Sequence, residues 1–485
     1  VGRDVEHQSR GLLRDCLHEG KPTPAEIFRD CGQKVYDKWV SQPPCLEPKS
    51  KNCIGYYVLP VGQEQAQKEI PTELPAATAW LSLIDCQPVS SVSTTVCESM
   101  PSLVVMGQEP LPNETITRVE GMLGQQPFSC DAPECIIPLQ ATDEAGLEME
   151  FWAYSSYGDS SPLFTAQVRA VQSDAGDPDQ LYWYIDVLSS QWQGQPPATC
   201  TESWESFPPV GGTPFWLSTP VHHEDLASDI PYTYLAANLI LQGAVDARGC
   251  PDGGLIPGGG VNACGLEAAR PAVMEWQNQF DSLILNTSQE TGVPAHLLKN
   301  LFARESQFWP GVFRAIDDVG LGQLTESGAD ATLFWNPSFY AQFCPLVLSS
   351  EACGKGYAHL GKAEQQLLRQ ALVASVNAYC TDCPLGLDLS QAGFSVSVFA
   401  HTMLANCEQT GRVVRNITGD IPGDVASYED LWKFTLVNYN AGPGCLADAL
   451  EGAQLADAVL TWEGVAPFLP GACTGAIDYV NDITQ

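Results

Sequence analysis

The chain has 485 residues, with 58 Asp plus Glu against 23 Lys plus Arg, a formal charge of −35 and an isoelectric point near 4.3. A surface of that sign repels a polyanion, which excludes nucleic-acid binding. Charged residues make up only 17% and hydrophobic ones 44%, so the composition is that of a folded multidomain protein and not of a disordered one. The acidity is uneven. Residues 1–68 carry 10 basic against 9 acidic side chains and the remainder 13 against 49, while residues 119–247 hold one Lys or Arg, Arg169. Solubility explains such a surface; so does a near-neutral arm packing on an acidic neighbour, or screening by divalent cations.

The N-terminal arm, residues 1–70, predicts a helix with Thr23 as N-cap, Pro24 at its first position and Glu26 closing a capping box. Ile27, Phe28, Val35 and Trp39 form its apolar stripe, and it ends before Pro43 and Pro44. Residues 71–200 change to short β-branched and aromatic runs between turn residues: Ala79 to Ile84, Ile116 to Val119, Met149 to Tyr154, Phe164 to Val171 and Leu181 to Val187. That spacing predicts an Ig-like β-sandwich. Its aromatics, among them Phe151, Trp152, Tyr154, Tyr157 and Trp192, suit core packing or sugar stacking. Residues 201–230 are rich in Pro, Gly and Ser and read as a linker or an extended crossing segment. Helices are expected over Pro231 to Arg248, stopped by Gly249, and over Pro271 to Thr291, stopped by Gly292, within a linker-and-helix region of 201–250 and a helical domain of 251–485.

Eighteen widely spaced cysteines lack zinc-ribbon or haem-attachment spacing and predict disulfides formed in an oxidising compartment. Nine precede residue 201 and nine follow it, so full pairing needs a bridge between the halves. Local pairs are expected for Cys86 with Cys97, Cys130 with Cys135 and Cys344 with Cys353. The chain opens on Val1 and has no uninterrupted apolar run of about 18 residues, which predicts an exported, secreted protein with its signal segment removed and no transmembrane segment. Neither a metal site nor a cofactor motif stands out; the adjacent His222 and His223 lack a spaced carboxylate partner.

The chemistry concentrates after Pro294. Leu298, Leu301, Phe302 and Glu305 recur at i, i+3, i+4 and i+7, so one helix face carries an apolar stripe and a carboxylate. Desolvation on that face raises a carboxyl pKa and suits it to general acid work. Gly320-Leu321-Gly322-Gln323 then combines close backbone approach with an amide, and Asn438-Tyr439-Asn440-Ala441-Gly442-Pro443-Gly444 is expected to expose a phenol and an amide on a turn.

Residues 270–480 resemble the soluble lytic transglycosylase family, relatives of goose-type lysozyme. That family carries a Glu-Ser pair, a Gly-Leu-Met-Gln segment and an Ala-Tyr-Asn-Ala-Gly segment in this order. The resemblance implies a mostly helical lysozyme-like domain that cleaves the MurNAc–GlcNAc β-1,4 bond of peptidoglycan. Glu305 would be the single acid/base, and Ser306, Gln323, Tyr439 and Asn440 would line the substrate cleft, with Tyr439 bonded to the acid. Against the family pattern, Gly322 stands for Met, Asp317 and Asp318 for small residues, and a cysteine-rich insert separates Thr325 from Asn438. The expected partner is a peptidoglycan strand. A different class of function, an extracellular filament or sheath protein that keeps the lysozyme-like fold and self-associates through residues 1–68, is the alternative the charge distribution suggests.

Overall fold

The computed structural model describes residues 2–8, 23–41, 58–65, 74–86, 96–173, 181–194, 198–311 and 318–485, and the chain divides into two units, Val1–Pro75 and Ala76–Gln485. In the first unit, strands Gly2–Gln8 and Val58–Gln65 pair antiparallel. The capping box forms: Glu26 accepts from the Thr23 backbone N–H at 2.8 Å and Thr23 Oγ1 accepts from the Glu26 N–H at 3.4 Å. The single helix expected here is two, Pro24–Cys31 and Gln33–Val40, because Gly32 takes φ 79° and ends the first turn series. Phe28 and Tyr36 meet edge-on across that break at 5.5 Å. Pro43, Pro44, Cys16, Cys45 and Cys53 lie outside the described residues.

In the second unit, residues 76–194 form two antiparallel sheets. One has strands Thr78–Ile84, Ser102–Gln108 and Glu134–Pro138 in that order; the other runs Val96–Cys97, Tyr182–Leu188, Phe164–Ser173, Leu147–Ser155, Ile116–Leu123 and Gln126–Cys130. Alternation drives their pairing. Met149, Phe151, Ala153 and Ser155 are buried along one strand while the alternate residues Glu150, Trp152 and Tyr154 are less so, and Leu81, Leu103, Val105, Phe151, Val168 and Ile185 from both sheets share one core. Phe151 is thus a core residue, whereas the Tyr154 ring lies under the Arg118 guanidinium at 4.5 Å.

Arg169 is used inside this unit. It sits opposite Asp186 across the strand pair, donates to that carboxylate at 2.6 and 2.9 Å and to Pro208 O at 2.8 Å, and covers the Phe207 ring at 4.6 Å. Burial pushes the Asp186 carboxyl up, against the opposing pull of Arg169. The pair therefore pins the segment after residue 198 to the sheet.

That segment is not solvent-borne. Trp204, Trp216, Leu217 and Leu226 are buried in the helical core, Trp204 meets Tyr428 and Trp432 edge-on at 5.6 and 5.4 Å, and Cys200 is bridged to Cys407. The helices around this core differ in extent from the sequence expectation. The first is Thr233–Leu241, released at Gly243 with φ 76°. The stretch expected as one helix from Pro271 is two, Ala263–Asn278 with Pro271 inside it and Asp281–Thr291 capped by Gly292. Then follow Ala295–Ser306, Glu326–Trp335, Lys362–Val376, the thirty-residue Leu389–Thr418, Tyr428–Ala441, Pro443–Leu455 and Gly475–Thr484.

Seven disulfides lie among the described residues: the three expected local pairs, Cys250–Cys264, Cys380–Cys383, Cys445–Cys473 and the long-range Cys200–Cys407. No described helix is long and apolar enough to cross a membrane. Replacing Arg169 by Met strands the buried Asp186 charge and should cost about 3–5 kcal/mol in urea unfolding, whereas the Arg169→Met/Asp186→Leu double variant should recover most of that loss.

Candidate active site

Glu305 closes the Ala295–Ser306 helix on its buried face. Leu298, Leu301 and Phe302 beneath it are fully buried and Glu305 itself is 7% exposed. The helix stops there because Gln307 and Phe308 both take left-handed backbone, φ 47° and 61°, a strained ending for non-glycine residues. The Gln307 side chain accepts from Tyr234 N–H at 2.9 Å, which ties this corner to a neighbouring helix. Lower on the same helix, Lys299 is buried against Asp281 and also donates to Asn278 Oδ1 at 2.8 Å. Burial pushes the Asp281 carboxyl up and the Lys299 ammonium down.

The carboxylate is held from the C-terminal helix. Tyr479 donates to Glu305 Oε1 at 2.5 Å. Its phenol is pushed well above 10 by burial, then by the Glu305 charge, so it remains a proton donor throughout the neutral range. Tyr439, expected to bond the acid, instead donates to Gly322 O at 2.5 Å; burial and the charges of Glu305 and Asp318 push its phenol up as well. Tyr439 and Tyr479 lie nearly parallel, their centroids 6.5 Å apart.

The glycine segment is fastened from three sides. Ser306 Oγ donates to Leu321 O at 2.8 Å, Leu321 N–H donates to Ser395 Oγ at 3.2 Å, and Val319 and Leu324 exchange backbone bonds of 3.2 and 2.8 Å. Gln323 turns at φ 52° and donates from Nε2 to Gly320 O at 2.9 Å. The residue at 322 has to be glycine here. A Cβ at that position would lie 1.9 Å from the Phe399 ring, which itself packs on Phe302 and edge-on against Tyr439, at 5.2 Å in each case.

These groups surround a cleft of ≈ 410 Å³ lined by Glu305, Asp318, Gln323, Tyr439 and Asn440 together with Thr325, Ser327, Asn406, Gln409 and Asn438. Four of the residues singled out in the sequence thus meet in one cavity. Ser306 does not. It is fully buried and acts on the glycine segment from behind the cleft wall. Tyr439 and Asn440 lie on the last turn of the Tyr428–Ala441 helix and not on an exposed turn; the chain breaks only at Gly442, φ 88°. The stretch between Thr325 and Asn438 also lines the cavity, through Ser327, Gly328 and Ala331 on the helix that Thr325 caps and Asn406 and Gln409 on another. Asp317 lies outside the described residues.

Tyr479 escaped the sequence reading because Ala476, Tyr479, Val480 and Ile483 form an ordinary buried stripe. Asn406 and Gln409 sit in a thirty-residue helix with nothing to mark them. Among the described residues no cluster of three or more His, Cys, Asp or Glu is placed to hold a metal ion, and of the linker histidines His223 Nδ1 lies 3.4 Å from the Glu224 carboxylate. No protein-family model, curated protein or solved structure matches this chain.

Introducing Met at Gly322 should destabilise the fold by at least about 1–3 kcal/mol through overpacking on Phe399. In a Phe399→Ala background the same substitution should cost clearly less, a coupling that a double-mutant cycle in denaturant measures.

Proposed function

We propose that the helical part of the second unit is a lysozyme-like domain, that residues 76–194 are an Ig-like sandwich, and that the cleft cleaves β-1,4 bonds of peptidoglycan-type glycan strands as a lytic transglycosylase. The observation that carries this reading is the convergence of Glu305, Gln323, Tyr439 and Asn440, far apart in sequence, on one cavity with the carboxylate at its buried end. A purely architectural role gives no reason to bury a carboxylate under a tyrosine donor and line its cavity with five amides.

In this mechanism the Glu305 carboxylic acid gives its proton to the glycosidic oxygen as the C1–O bond breaks. The resulting carboxylate then takes the proton of the sugar's C6 hydroxyl while O6 attacks C1, closing a 1,6-anhydro ring. One carboxyl group serves both steps, so the paired carboxylates of hydrolytic glycosidases are not required. Tyr479 fixes the carboxyl group's orientation, Gln323 and Asn440 meet sugar polar groups, and Ser306 holds the glycine segment against the acid helix. The disulfides support export to an oxidising compartment.

Incubation with peptidoglycan sacculi tests the reading: the native protein should release 1,6-anhydromuropeptides, and Glu305→Gln should reduce release by about 10²–10⁴-fold. Absence of anhydro products from the native protein, or equal release by the variant, overturns it. Tyr479→Phe should lower kcat roughly 10–100-fold, the worth of a buried hydrogen bond to a charged group, and should displace the pH–rate profile, which a merely structural tyrosine would not do.

A further inference from the structure

A second cavity, ≈ 720 Å³ against the ≈ 410 Å³ of the cleft, borders the same helix as the cleft does. Along Glu326–Trp335, Ser327, Ala331, Phe334 and Trp335 fall at i, i+4, i+7 and i+8 and so share one face. Ser327 and Ala331 line the cleft, Phe334 and Trp335 the second cavity. The stripe is open along its length: Ser327 is exposed, Phe334 is 46% exposed, and Ala331 and Trp335 are half-buried. At 1.5 Å per residue it runs about 12 Å, and Ala331 and Trp335 are only about 6 Å apart along the axis. One helical turn therefore leads from the cleft into the second cavity. There the stripe becomes aromatic, Phe334 and Trp335 meeting edge-on with centroids 5.0 Å apart. Around them the lining is polar and includes Gln289, Glu290, Glu408 and Arg412, the last two paired at 3.1 Å. The Cys200–Cys407 bridge covalently joins the wall from residues 198–203 to the wall from the Leu389–Thr418 helix, which fixes part of the cavity before anything enters it.

We propose that the second cavity is a distal subsite for the β-1,4-linked glycan strand, which leaves the cleft across Ser327 and Ala331 and lays a sugar ring against Phe334 and Trp335. A pyranose suits both parts of this lining. The weakly positive C–H groups of its face complement the negative face of an aromatic ring, while its hydroxyls donate to the Glu290 and Glu408 carboxylates and accept from the Gln289 amide and the Arg412 guanidinium. The proposal deepens the glycosidase reading and rests on it for the identity of the strand. Its consequence is that affinity grows with strand length, because only a strand long enough to leave the cleft reaches the aromatic pair.

Binding is measured by calorimetry on the full chain carrying Glu305→Gln, so that no strand is cut, with the trisaccharide and the octasaccharide of β-1,4-linked N-acetylglucosamine as probes. The octasaccharide should bind about tenfold or more tighter, a gain of the size one stacked ring supplies. Adding Phe334→Ala and Trp335→Ala together should cut that gain to about threefold or less, with the urea midpoint reporting that the fold is kept. Gln289→Leu, an exposed position on another helix of the cavity, should reduce it in the same direction and carries the test should the aromatic variant unfold. The Trp335 indole N–H resonance, assigned from Trp335→Phe, should move when the octasaccharide is added and stay in place when a free wall stem peptide is added. Equal affinity for the two oligomers, or a gain that neither cavity variant reduces, overturns the proposal. So does a Trp335 resonance that answers to the stem peptide and not to the glycan, which assigns the cavity to a peptide. A length gain that the cavity variants remove, without release of anhydro products from sacculi by the native protein, sinks the glycosidase reading and leaves the distal subsite standing; release of those products without any length gain does the reverse.

Discussion

A carboxylate on the core-facing stripe of a helix must be held by its surroundings, and much of the second unit is arranged to meet that requirement at Glu305. A phenol from the C-terminal helix bonds it, a serine one residue on fastens the neighbouring glycine segment, and an aromatic series of Phe302, Phe399, Tyr439 and Tyr479 forms the floor. These contacts are interdependent. Phe399 can occupy the floor only because residue 322 has no side chain, and Tyr439 can bond Gly322 O only because that ring brings it close. The space that a side chain at 322 would need is filled by the Phe399 ring from the Leu389–Thr418 helix.

The Leu389–Thr418 helix serves both the cavity and the crossing segment. It contributes Asn406 and Gln409 on one face and, on another, Cys407 bonded to Cys200 and carrying the carbonyl that accepts from Trp204 Nε1. The same helix thus forms a cleft wall and anchors the segment that Arg169 pins to the β-sheet. Sheet, crossing segment and cleft wall are mechanically continuous through two polar links and one covalent one.

Legibility of the sequence followed locality. The capping box at Thr23, five of the strands between residues 78 and 188, the Pro294 helix and the short-range cysteine pairs depend on residues within a few positions of one another, and periodicity exposes them. Strands Gln126–Cys130 and Glu134–Pro138 were hidden because proline, cysteine and serine interrupt their alternation. The last turn of the Tyr428–Ala441 helix, from Asn438 on, reads in the sequence as an exposed turn because Asn and Gly carry turn propensity, which burial of Phe434 to Asn438 overrides. Within the cavity, Glu305, Gln323, Tyr439 and Asn440 were readable from motif and stripe, and Asp318 from its charge. Tyr479 and the Asn406–Gln409 pair were not, since what distinguishes them is a partner more than 25 residues away.

The Cys200–Cys407 bridge has a temporal side. Its partners are 207 residues apart, which at about 5–20 residues per second of synthesis is a wait of roughly 10–40 s. Cys250, Cys264, Cys344, Cys353, Cys380 and Cys383 all emerge in that interval, and each finds its mate nearby. Each of those three pairs has both of its partners available before Cys407 is made. Spacing thus sets when each bridge first becomes possible, and the one that joins the crossing segment to the cleft wall becomes possible after all three.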